Sequence, residues 1–397
     1  MFESLEALSP DAILGLMALF RDDPRAQKID LGVGVYRDEQ GNTPILETVI
    51  EAERRRFASE TTKTYIGPPG TPGFNELVRK LMFGGKHAVV RDKRVAGVQT
   101  PGGCGALRIG AELVKRARSD ATIWVSDPTW ANHVPLLGSA GIKIETYPYY
   151  DKATRGLDAS AMLDAFRKIP SGHLVLLHGC CHNPSGVDLD AETWREAAKI
   201  MVERGLTPYI DLAYQGLGDG LEEDVAGLRI VADICPEVIV ASSYSKNFGL
   251  YRERVGALQV VTSDAARAPA IQSQLDSVVR TSYSMPPAHG AAIVEIILGD
   301  EALNVAWVKE LDAMRDRING LRELLAQKLT EVTGQDFGFI RRQRGMFSFL
   351  GITPAEVDRL RQECGIYMVG SSRINVAGIN GANVDYFLES CAKVLRK

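Results

Sequence analysis

The run Val238-Ile239-Val240-Ala241-Ser242-Ser243-Tyr244-Ser245-Lys246 opens on apolar residues and closes on hydroxyl side chains and an amine. It reads as a buried strand whose carboxyl end opens into a crevice. Short apolar runs of the same kind lie at Val95 to Thr100, Ile123 to Ser126, Leu174 to His178, Tyr209 to Leu212 and Val255 to Val261. Between the first two, Ala106, Ile109, Gly110, Leu113, Val114 and Ala117 recur at helical spacing, which predicts a helix just after the Gly102-Gly103 turn. This alternation predicts an α/β fold with a mainly parallel sheet. Further on, Glu301 to Thr330 predicts a long helix, followed by mixed strand and helix patterns that predict a second, smaller domain, with a boundary near residue 313. No repeat or Pro/Gly/Ser linker separates the two parts, so they are expected to pack closely.

Composition narrows the function. The chain has 397 residues, 45% hydrophobic and 24% charged, enough for a large core. A net charge of −4 and a pI near 6.0 give no basic field for nucleic-acid phosphates, so nucleic acid is not an expected partner. Met1 to Phe20 lacks a secretory pattern, and no apolar run reaches the roughly 20 residues of a membrane span. A cytoplasmic protein without membrane association is therefore expected. The six cysteines, Cys104, Cys180, Cys181, Cys235, Cys364 and Cys391, show no CxxC spacing, so they read as reduced, with no metal site expected.

The strand ends carry the chemistry, because open α/β sheets bind ligands beyond their carboxyl edge. A lysine forms a Schiff base only when neutral, and burial near other cations lowers its pKa, as Lys246 requires. Beside it, Ser243, Ser245 and Arg254 supply two hydroxyls and a guanidinium fork suited to a phosphate. Gly102-Gly103-Cys104 before the helix adds backbone N–H groups and a positive dipole end for the same anion. Lysine next to a phosphate site suggests pyridoxal 5'-phosphate. That cofactor needs a carboxylate on its ring nitrogen to act as an electron sink, and Asp211, in Ile210-Asp211-Leu212-Ala213-Tyr214, is the candidate. Tyr214 and Asn183 can donate to the cofactor's phenolic oxygen, and Trp130 offers an aromatic face.

Several strings together resemble the class I aminotransferases, in particular the aspartate and aromatic amino acid subgroup. They are Ser242 to Gly249 with Arg254, His182-Asn183-Pro184-Ser185-Gly186, Leu31 to Tyr36, Thr62 to Tyr65, Asp127 to His133 and Ser371 to Gly378, in family order over nearly the whole chain. The resemblance implies a fold-type I homodimer with two active sites at the interface. It implies a large pyridoxal-phosphate domain, residues 43–313, and a small α/β domain with an N-terminal arm, residues 1–42 and 314–397. It also implies that Arg373 grips the substrate α-carboxylate, that Gly34 lies against substrate with Trp130 and Asn183, and that His133 supports Asp211 from behind. Tyr65 would reach the partner's phosphate site and Arg280 the partner's substrate side chain. Two positions depart from the family pattern: Cys104 stands where Thr or Ser is usual, and Met285 where aspartate-preferring members usually carry Asn. A thiol donates more weakly than a hydroxyl.

The expected reaction is a two-stage amino transfer with Lys246 as Schiff-base lysine and proton shuttle, Asp211 and Tyr214 tuning the cofactor, and pyridoxamine phosphate as the form between stages. Its expected acceptor is 2-oxoglutarate, and its donors the aromatic amino acids Tyr, Phe and Trp and/or aspartate. A strictly aspartate-preferring enzyme, a pyridoxal-phosphate lyase and a non-enzymatic regulator on the same scaffold are the alternatives. Arg280 favours dicarboxylates, while Met285 fits a wall that accepts aromatic rings.

Overall fold

In the computed structural model, which describes residues 1–7 and 12–396, seven strands form one twisted sheet. In chain order they are β1 (Val95–Pro101), β2 (Thr122–Asp127), β3 (Lys143–Pro148), β4 (Leu174–His178), β5 (Thr207–Leu212), β6 (Val238–Ser243) and β7 (Val255–Val261). Their spatial order is β1-β7-β6-β5-β4-β2-β3. All neighbours run parallel except β7, which is antiparallel to both β1 and β6. β4, β6 and β7 are buried at every residue. Their sequences therefore read as unbroken apolar runs rather than alternating ones, as a sheet covered on both faces requires.

Six of these strands match the runs expected from sequence. The seventh, β3, was not expected, because its sequence Lys-Ile-Glu-Thr-Tyr-Pro is that of a partly exposed edge strand. The helix after β1 also begins slightly earlier than expected: α1 (Gly102–Ala117) takes Gly102 as its first residue. Gly102 has φ +70°, a left-handed conformation natural only to glycine, and a Cβ there would run into the Arg254 guanidinium.

A second core lies apart from the sheet and joins both ends of the chain. Ile29 and Leu31 pack with Phe337, Leu360, Ile366, Ile374 and Phe387. Two small ladders organise it: Ile29–Asp30 pairs in parallel with Ile366–Tyr367, and Phe347–Phe349 runs antiparallel to Arg373–Asn375. The long helix α2 (Glu301–Thr333) bridges the two cores. Its first half gives Trp307, Leu311 and Ile318 to the sheet side, and its second half gives Leu325 and Leu329 to the other. Asp300 caps its start by accepting from the Leu303 N–H, and Gly334, left-handed, ends it.

Candidate active site

One cavity of about 290 Å3 opens at the carboxyl edge of the sheet. Register explains the convergence: His178 of β4 stands beside Asp211 of β5, and Asp211 beside Ala241 of β6. Adjacent parallel strands thus deliver their last polar residues to one place.

Lys246 is half-buried on the turn after β6, with Nζ 4.9 Å from the centre of the Tyr214 ring. Burial lowers its pKa and the Arg254 charge adds to this, while Asp211 and Cys104 pull the other way. The result is an amine more readily neutral than an exposed lysine.

Asp211 is buried, and its Oδ2 lies 3.1 Å from His133 Nε2. Burial alone would raise its pKa. The bond and charge of His133, with His178 and Lys246, hold it below the usual value, so it stays a carboxylate. His133, fully buried, is fixed at its other nitrogen by Thr129 Oγ1 at 2.7 Å, and Thr129 also contacts His178 Nε2 at 3.3 Å. Burial, helped by the charge of His133, pushes the His178 pKa down to about 3, which makes it a neutral imidazole.

At another wall, Ser243 Oγ donates to Ser245 Oγ at 3.1 Å and Arg254 Nη1 donates to the same oxygen at 3.4 Å. Gly103 and Cys104, at the start of α1, face them across the cavity lining. A Cβ on Gly103 would come within 3.0 Å of Ser243 Cβ. The cradle is compact and combines hydroxyls, a guanidinium and a helix start, with no carboxylate of its own. Cys104 Sγ accepts a long contact, 3.9 Å, from Asn132 Nδ2.

Arg373, from the second core, enters the same cavity. Its Nη2 donates to Gly32 O at 2.6 Å and its Nη1 to Asn183 Oδ1 at 3.3 Å, and its guanidinium carbon sits 4.3 Å over the Phe347 ring. Gly34, Trp130 and Tyr214 complete the lining expected from sequence. Burial drives the Tyr214 pKa up, so its hydroxyl keeps its proton and remains a donor. A Cβ on Gly34 would come 2.7 Å from Phe347 Cζ, which explains glycine at that position.

Gly102 stands behind the lining rather than in it. Tyr65 and Arg280 are not in the lining of this chain's cavity: Tyr65 is 88% exposed, and exposed Arg280 donates to Ser284 Oγ one turn on. His178, Phe347 and Tyr251, to which the sequence motifs assign no role, also line the cavity. Tyr251 OH accepts from the Tyr36 N–H at 2.8 Å, tying the Gly34 segment to the Arg254 loop. His178 was legible as the polar end of an apolar run. Phe347 had no local signal, because its place depends on a distant ladder.

As chemistry, the cavity calls for a ligand with a phosphate at one end, a group reactive toward amines near Lys246 and a basic nitrogen near Asp211. Pyridoxal phosphate meets all three demands, and the residues present fit it. That sets the class: an α/β enzyme of the pyridoxal-phosphate type. Residues 26–390 match the family described as aminotransferase class I and II. The aspartate aminotransferase of Escherichia coli (strain K12) is 47% identical over 396 residues, covering all of both chains. The aromatic-amino-acid aminotransferase of Paracoccus denitrificans is also 47% identical, over 99% of this chain and all of that one. Among solved structures, the Burkholderia pseudomallei aromatic-amino-acid aminotransferase covalently bound to pyridoxal phosphate superimposes with a TM-score of 0.98 at 42% identity, over the full length of both. The chain belongs to the class I and II aminotransferases.

Proposed function

We propose that the protein transfers the amino group of aromatic amino acids (Tyr, Phe, Trp) and of aspartate to 2-oxoglutarate, in two half-reactions at one site. The observation that carries this is the meeting of Lys246, Asp211, Arg373 and the Ser243–Ser245–Arg254 cradle in a single cavity. Relatives named for aspartate and for aromatic amino acids are equally similar, at 47% identity, which supports assigning both donor types.

In this reading Gly103, Cys104, Ser243, Ser245 and Arg254 hold the phosphate of pyridoxal phosphate. Asp211, braced by His133, holds its ring nitrogen, and Asn183 and Tyr214 hold its phenolic oxygen. When bound, the cofactor supplies an aldehyde that combines with amines and a protonated ring that draws electrons from the substrate Cα. Arg373 holds the substrate α-carboxylate with a guanidinium already fixed by Gly32 and Asn183, so little orientation is lost on binding. Lys246 Nζ would anchor the cofactor and would be the base that takes the proton from the substrate Cα. Trp130 covers one side of the cavity against water.

The reading includes a homodimer in which Tyr65 and Arg280 complete the partner's site. Their exposure, and their absence from their own chain's cavity, support it. It also divides the chain into 43–313 and 1–42 with 314–397, supported by the separate core that joins both chain ends and by α2, which passes from the sheet-side core to the other between Ile318 and Leu325. Residues 8–11 and 397 of those spans lie outside the described residues. Among the described residues no helix is long and apolar enough to cross a membrane, and a cytoplasmic location is part of the proposal.

Borohydride reduction of the yellow holoenzyme followed by peptide mapping tests the assignment. The cofactor is expected on the peptide containing Lys246, and labelling of another lysine would overturn it. Amino transfer that stops without a 2-oxo acid acceptor separates this reading from a lyase.

A further inference from the structure

Arg322 lies inside α2, between Ile318 of the sheet-side core and Leu325 of the other. It is 1% exposed, and its hydrogen bonds among the described residues go to backbone carbonyls rather than to a carboxylate. Nη2 donates to Gly345 O and to Phe347 O, both at 2.5 Å, Nε to Gly345 O at 3.2 Å and Nη1 to Ile340 O at 3.3 Å. Burial lowers its pKa to about 10, which leaves it charged at neutral pH. Burying a guanidinium without an ion-pair partner is unfavourable, and an apolar residue of similar size would fill the space at lower cost. What the fork adds is a rigid set of donors that holds several carbonyls of one irregular segment at once.

That segment meets the active site at both ends. Gly345, left-handed at φ +77°, lies against the turn that carries Asn183: a Cβ on it would come 2.4 Å from Cys181 Cβ. The Arg344 N–H donates to Gly186 O at 2.7 Å, at the close of the same turn. Phe347, whose carbonyl accepts from Arg322, sets its ring 4.3 Å from the Arg373 guanidinium carbon and edge-on to Tyr214 at 6.1 Å. Arg322 itself is not in the cavity lining, so its influence on a substrate passes through these residues.

We propose that Arg322 is a positioning residue for substrate capture: it fixes the Gly345–Phe347 segment, and through the Phe347 ring it sets the guanidinium of Arg373. The proposal rests on the reading of Arg373 as the α-carboxylate site. Gly32 O and Asn183 Oδ1 hold the edge of that guanidinium, and Phe347 supports its face. A ring free to drift lets the fork tilt, and a tilted fork loses the geometry of two parallel bonds to a carboxylate.

The test is single-turnover reaction of the holoenzyme with phenylalanine and with phenethylamine, the same molecule without its carboxylate. Arg322→Lys keeps the charge but offers a point donor in place of the fork, and should raise the half-saturating phenylalanine concentration about tenfold while leaving the maximal rate within about threefold. Its rate with phenethylamine, which gives Arg373 nothing to hold, should match the parent's within about twofold. Phe347→Leu should raise the half-saturating concentration in the same way, and adding Arg322→Lys to it should raise that value by no more than about twofold further, because the route through the ring is already gone. An unchanged half-saturating concentration in Arg322→Lys, an equal loss with phenethylamine, or effects of the two substitutions that multiply would each overturn the proposal. Should Arg322→Lys not fold, Arg322→Gln carries the same expectations, and an unchanged half-saturating concentration in Phe347→Leu overturns the proposal by itself. Arg373→Lys tests the reading beneath: its failure removes the carboxylate site, whereas failure of the Arg322 variants alone leaves Arg373 in its role.

Discussion

Replacing Arg373 with Lys keeps the charge and removes the fork. In the structure that fork is held by Gly32 O at 2.6 Å, Asn183 Oδ1 at 3.3 Å and the Phe347 face at 4.3 Å. A lysine ammonium is a single point donor on a flexible stem, and it cannot keep these three anchors while also meeting a carboxylate in a bidentate pair. Losing one charge-assisted hydrogen bond to the substrate costs about 1.5–3 kcal/mol. At about 1.4 kcal/mol per factor of ten, kcat/KM should fall by roughly 10- to 150-fold. Every substrate carries an α-carboxylate, so aspartate, phenylalanine and 2-oxoglutarate should all lose comparable amounts, mostly through KM. Steady-state kinetics with each substrate measures this, with urea unfolding and cofactor titration as controls for the fold and the cradle. A loss below about threefold, or one confined to a single substrate, would refute the assignment of Arg373 to the shared carboxylate.

Arg280→Ala should lower single-turnover efficiency with aspartate by the equivalent of about 2–5 kcal/mol and leave phenylalanine nearly unchanged, because only the dicarboxylate loses a charge partner; equal losses would count against the role. Cys104→Ser puts a stronger donor at the cradle and should tighten pyridoxal phosphate binding by about 0.5–1.5 kcal/mol, read from cofactor titration, and weaker binding would speak against Cys104 facing the phosphate. Asp211→Ala should retain some cofactor yet slow Cα proton removal by several kcal/mol of barrier; near-normal turnover would exclude its role at the ring nitrogen. His178 predicts an acid-side loss of stability. Its folded pKa, about 3, lies below the ordinary 6.5, so the unfolded chain binds the proton first as pH falls, and the contribution is whole above pH 6.5 and shrinks below it. At pH 5 the loss is about 2 kcal/mol, and urea unfolding of His178→Gln should show that much less change between pH 7.5 and pH 5 than the parent. Asp188, which burial pushes up to about 6, acts in the opposite sense but equally in both proteins, and drops out of the comparison.

The sequence by itself determined the mainly parallel sheet and the residues at its carboxyl edge, because both are local. A strand covered on both faces must be apolar throughout, so β4, β6 and β7 announce themselves, and a polar residue ending such a strand can only face the crevice. Lys246, Asp211 and the Ser243–Arg254 group were legible for that reason. The edge strand β3 was not, since an exposed edge tolerates Lys143 and Glu145 and loses the apolar signature. What only the tertiary structure decided is how distant segments meet. Phe347 reaches Arg373 through a ladder between Phe347–Phe349 and Arg373–Asn375, and Tyr251 reaches Tyr36 across more than half the chain. Tertiary placement likewise put Tyr150 against Phe349 and left its hydroxyl unmatched. Such contacts are set by the packing of one core against the other. Hydrophobic burial fixes that packing as a sum over many side chains, so no single stretch of sequence carries it.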